Sequence, residues 1–63
     1  MKPEIRKLDD GDTVVDYGLT WYRVRQDGTI TKKIAKVEGV DQRPATNAEA
    51  RKIQKLLSSA VRG

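Results

Sequence analysis

Six side chains between positions 21 and 36 are of types that can hold a polyanion: Trp21, Arg23, Arg25, Lys32, Lys33 and Lys36. An arginine guanidinium is a planar fork that fits phosphate oxygens or the edge of a guanine, and a lysine ammonium is a point charge. In that role Lys32, Lys33 and Lys36 would contact phosphates, and Arg23 and Arg25 bases or phosphates. A solvated basic surface accounts for the same residue types equally well. Other chemistries fail on residue type or spacing. The chain has no cysteine and no histidine, which removes thiol and imidazole catalysis and the usual zinc ligand sets. Asp9, Asp10, Asp12 and Asp16 form the one carboxylate cluster, but their spacing is not that of a calcium loop and reads as an Asp-rich turn. Ser58 and Ser59 have no histidine to activate them, and the glycines are too scattered for a phosphate loop. No catalysis, cofactor or metal is expected, and so short a chain leaves little room for an enzyme-sized cleft.

The elements that would position the six candidates follow from local signals. Thr13 to Tyr17 is β-prone, and Gly18-Leu19 suits a tight connection. Thr20 to Arg25 is dense in aromatic and β-branched residues. Asp27-Gly28 is the signature of a two-residue hairpin turn, and Thr29 to Val37 reads as the returning strand. Gly39 ends that strand, and Asp41 to Pro44 reads as a loop. Thr46-Asn47-Ala48-Glu49 has the spacing of a capping box. A helix from Ala48 to Ala60 follows, with Ala50, Ile53, Leu56, Leu57 and Ala60 on one face and Arg51, Lys52 and Lys55 on the other. The fold class is therefore α+β: a small three-stranded antiparallel sheet packed against one C-terminal α-helix. Residues 1–12 would be an irregular lead-in and residues 13–63 a single β-β-β-α domain.

A two-residue turn at Asp27-Gly28 would pair Arg25 with Ile30, Arg23 with Lys32 and Trp21 with Ile34. One face would then carry Thr20, Tyr22, Val24, Thr31, Lys33, Ala35 and Val37, and would be the floor for the helix. The other would carry Trp21, Arg23, Arg25, Ile30, Lys32, Ile34 and Lys36. Arg23 opposite Lys32 would be a repulsive pair, better tolerated if an anion binds there. In the alternative, Trp21 and Ile34 would serve as core and Tyr22 would lie at the surface, since a one-residue shift or a bulge near Thr31 would swap the faces.

The stretches Trp21-Tyr22-Arg23-Val24-Arg25, Asp27-Gly28-Thr29, Lys32-Lys33 and Thr46-Asn47-Ala48-Glu49-Ala50 resemble the arm-binding N-terminal domains of phage and transposon tyrosine integrases. Those domains are similar to the plant AP2 domain, a three-stranded sheet backed by a helix that inserts the sheet into the DNA major groove. The resemblance covers residues 20–57. It implies duplex DNA as partner, with Trp21, Arg23, Arg25, Lys32 and Lys36 facing it, and an accessory protein of a phage or mobile element. The chain departs from the family in having no catalytic domain after residue 63 and no aromatic residue between Ile34 and Pro44.

Composition bounds the rest. Sixty-three residues make one small domain of marginal stability. Residues 20–37 hold five cations against one anion, and residues 51–63 four cations and no anion, within a net charge of +4. Such stripes can attract nucleic acid. A small phage-encoded inhibitor or adaptor that docks on a host protein is the other reading, since Trp and Arg are enriched at interface hot spots. Nothing in the chain is apolar for long enough to cross a membrane, and Met1 to Lys7 lacks the apolar stretch of a signal peptide, so a cytoplasmic location is expected.

Overall fold

A computed structural model describes residues 3–62, with side chains through residue 59. The expected class holds at the level of α+β, but the sheet has five strands, not three. They are β1 (Glu4–Lys7), β2 (Thr13–Asp16), β3 (Thr20–Val24), β4 (Ile30–Lys36) and β5 (Gly39–Pro44), followed by α1 (Asn47–Arg62). All neighbours are antiparallel and lie in chain order, a simple meander. The two extra strands arise in stretches that read as lead-in and loop. β1 and β5 are edge strands rich in Glu, Arg, Lys, Asp and Gln, residues of low β-propensity. Charged edges and a terminal proline are common devices on strands that have a partner on only one side. Tight turns join them to β2 and β4, whose backbone they pair with.

The hairpin between β3 and β4 also differs from expectation. Asp27 does not take positive φ, and Gly28 does, at +92°. The Arg25 N–H donates to the Thr29 carbonyl at 2.8 Å, and the Gly28 N–H donates to the Arg25 carbonyl at 2.9 Å. The connection is therefore the three-residue loop Gln26-Asp27-Gly28, a turn followed by a left-handed glycine bulge. Asp27 stabilises it by accepting from the Thr29 N–H at 2.9 Å. The added residue shifts the register by one: Trp21 faces Lys33, Tyr22 faces Lys32, Arg23 faces Thr31 and Val24 faces Ile30. Because side chains alternate along a strand, this slip turns every β4 side chain to the face opposite the expected one. The repulsive Arg23–Lys32 pair does not form.

The helix covers one face. Val15, Tyr22, Ile30 and Ile53 form the buried core, with Tyr17, Val24, Ala45, Ala50, Leu56 and Leu57 packed around it. The helix face expected from the 3.6-residue period is thus the one that packs; Ala60 lies outside the described side chains. Tyr22 and Val24 sit on the floor beneath the helix as expected. Ala35 lies on the other face and Val37 is in a turn, and Ile30 and Ile34 of β4 take their place. The capping box forms as read: the Glu49 N–H donates to Thr46 Oγ1 at 3.2 Å, and the Thr46 N–H donates to Glu49 Oε1 at 3.0 Å.

Candidate nucleic-acid interface

With Tyr22 under the helix, alternation puts Trp21 and Arg23 on the helix-free face. One row across that face runs Glu4, Asp16, Trp21, Lys33, Gln42, and the next Arg6, Val14, Arg23, Thr31, Pro44. Arg25 continues the alternation beyond β3. Of the six candidate residues, the fold brings together Trp21, Arg23, Arg25 and Lys33. Lys32 and Lys36 lie on the opposite side, as the register shift requires. Lys32 Nζ pairs with Glu49 at 2.8 Å, lies 6.0 Å from the Tyr22 ring centroid, and ties the sheet to the helix. Lys36 pairs with Asp41 at 3.4 Å.

Arg23 is also engaged. Its Nε donates to Asp12 at 2.8 Å and its NH2 group to Asp10 at 2.7 Å. Asp12 is buried, and its hydrogen bond to the guanidinium holds the Arg23 pKa above the usual arginine value. The acidic turn between β1 and β2 is the anchor of this arginine. Its shape is set by Gly11 at φ +93°, by the Asp12 N–H bonded to Asp10 at 2.9 Å, and by the Gln26 amide donating to the Asp10 carbonyl. Among the described residues, no three His, Cys, Asp or Glu side chains come together as a metal site.

The face is therefore electrically divided. On the β1–β2 side, Arg6 pairs with Asp16 at 2.7 Å, Glu4 lies nearby, and Asp10 with Asp12 outnumber Arg23. On the β3–β5 side, Arg25 and Lys33 have no carboxylate within 4 Å among the described residues. Arg23, Arg25, Thr31, Lys33, Gln42 and Pro44 help line a shallow concavity there of about 460 Å³, and no Asp or Glu lines it.

Gln42 and Thr31 were not among the sequence candidates. Gln42 reaches the face only because Gly39–Pro44 is a strand, and Thr31 only because of the hairpin slip. Val37-Glu38-Gly39, which turns the chain back on a seven-residue strand, was the available signal for β5. No family model, curated protein or solved structure matches this chain.

A separate polar centre lies under the helix. Tyr22 Oη donates to Glu49 Oε2 at 2.9 Å, and its ring meets that of Tyr17 edge-on at 5.9 Å. Burial, and then the neighbouring Glu49 carboxylate, push the Tyr22 hydroxyl up to about 12. Hydrogen bonds from Lys32, the Thr46 N–H and Tyr22 hold Glu49 down at about 2. This centre is structural: each group is satisfied by another of the same chain.

Proposed function

We propose that the protein is a non-enzymatic binding module for duplex DNA, and that it uses the β3–β5 half of its helix-free sheet face. The observation that carries the reading is the carboxylate-free concavity beside Arg25 and Lys33, on the sheet face opposite the one against which the helix packs. A ribbon or sheet of this width can enter a major groove. Arg25 and Lys33 supply phosphate contacts, Gln42 and Thr31 supply neutral hydrogen-bonding groups, and Trp21 supplies an aromatic surface beside Lys33. The acid excess on the β1–β2 side repels phosphate, so the duplex is steered to the other half. Arg23 acts mainly by fixing the acidic turn. The resemblance to integrase arm-binding domains agrees with this face at Trp21, Arg23 and Arg25 but not at Lys32 and Lys36, and it suggests an accessory role in a phage or mobile element.

The test is a titration with random duplex DNA by fluorescence anisotropy over a salt series. Each phosphate contact contributes a slope of about 0.9 in log K against log salt, so R25A and K33A should each reduce the slope by about one. Arg51→Ala and Lys55→Ala on the far side of the helix should leave it nearly unchanged. Affinity that does not change with salt, absence of binding at micromolar protein, or equal losses from the helix variants would end this reading.

A second reading has its own observation. Leu19, Val37 and Val40 are 76%, 104% and 59% exposed, and the pairing of β3 with β4 and of β4 with β5 gathers them at one end of the sheet beside Ala35. An apolar end of this kind suits a protein partner. Recovery of one host protein by the wild type and not by L19D, with DNA absent, would favour it.

A further inference from the structure

We infer that two copies of this chain join through the outer edge of β5, antiparallel, about a two-fold axis at Gln42. The inference rests on the β5 edge alone and does not depend on DNA binding. The Ala45 N–H donates to the Ile30 carbonyl at 3.0 Å. Hydrogen bonding alternates along an antiparallel ladder, so Gly39, Asp41 and Arg43 also point their backbone groups at β4. The backbone groups of Val40 and Gln42, and the carbonyl of Pro44, point outward and have no strand partner among the described residues.

Pairing this edge with itself at Gln42 satisfies all of them except the Val40 carbonyl, which faces the Pro44 nitrogen. The two Gln42 residues exchange both N–H to carbonyl bonds, and each Val40 N–H meets the Pro44 carbonyl of the second copy. Pro44 donates nothing, so the ladder ends there. In this register Asp41 stands opposite Arg43 of the second copy, twice by symmetry. Both pairs occupy the non-hydrogen-bonded positions, where side chains are closest. The charges are thus self-complementary, as a two-fold interface requires.

Arg43 has no carboxylate partner within 4 Å among the described residues. Asp41 meets Lys36 at 3.4 Å with both side chains about half exposed, which leaves the carboxylate able to take a second cation. β1 offers a similar alternation of Glu4 and Arg6, but Arg6 is already held by Asp16 at 2.7 Å. The two-fold axis is perpendicular to the sheet, so the two helix-free faces merge into one. The two Lys33 residues, three strand spacings apart, would lie about 14 Å from each other.

Sedimentation equilibrium up to millimolar protein tests this, with circular dichroism confirming that each variant keeps its helix. The wild type should approach twice 7.1 kDa. Gln42→Pro removes an outward N–H and no β4 bond, and should leave a monomer. D41R and R43D alone should each weaken association by about tenfold or more, since each replaces two attractive pairs by two repulsive ones. An equimolar mixture of the two variants satisfies both pairs and should regain the dimer. A monomer at every concentration, a dimer indifferent to Q42P, or a mixture no tighter than its components would overturn the inference.

Discussion

Replacing Glu49 with alanine should cost this small protein a large part of its stability. One carboxylate serves three groups: it accepts from the Thr46 N–H at 3.0 Å, from Tyr22 Oη at 2.9 Å, and pairs with Lys32 Nζ at 2.8 Å. Losing its half of the capping box costs about 0.5 to 1 kcal/mol. Leaving the buried Tyr22 hydroxyl without its acceptor costs about 1 kcal/mol or more. The Lys32 pair, with both side chains less than a third exposed, adds up to about 1 kcal/mol. A total near 2 to 3 kcal/mol is a large share of the roughly 3 to 9 kcal/mol expected of a domain this size. The melting temperature should fall by about 10 to 20 °C, read by far-ultraviolet circular dichroism at neutral pH. E49Q keeps one acceptor oxygen, for the Thr46 N–H, and turns a donating amide toward Tyr22 Oη and Lys32, so it should fall less far than E49A. If E49A melts within a few degrees of the wild type, or if E49Q and E49A melt together, the carboxylate is not the link between sheet and helix that its geometry implies.

Glu49 is held at about 2 against an ordinary 4.5, so its contribution should be complete above about pH 5 and disappear as pH falls toward 2. The Tyr22 hydroxyl is raised to about 12 from 10.0, so its contribution should be present below pH 10 and lost as pH climbs to 12, and Y22F should flatten that alkaline limb in a denaturation series. Gly11→Ala should destabilise by about 1 to 2 kcal/mol, because φ there is +93° and a Cβ would meet the Gln26 side-chain amide; urea midpoints measure it, and G18A, also at positive φ but with open space around it, reports the backbone part alone.

What could be read from the chain by itself was everything that depends on neighbours within a few residues. Thr46 and Glu49 stand three apart, so the helix start was legible, as was the apolar stripe from Ala50 to Leu57. Thr20 to Val24 and the strand after Gly28 were legible because β-branched and aromatic residues cluster there. The position of Trp21 away from the helix was one of two open readings, and the burial of Tyr22 decides it by alternation within β3. The tertiary structure decided the rest. Asp-Gly is compatible with a two-residue or a three-residue loop, and the longer one is the one that brings Ile30 into the core beneath the helix. That single added residue moved Lys32 and Lys36 off the candidate face and left Lys33 opposite Trp21. The edge strands were invisible for the same reason: Glu4–Lys7 and Gly39–Pro44 have little intrinsic preference for extension, and they become strands because β2 and β4 present unpaired backbone beside them. Local chemistry chose the elements, and long-range hydrogen bonding with burial chose their number, their register, and so which charges meet a partner.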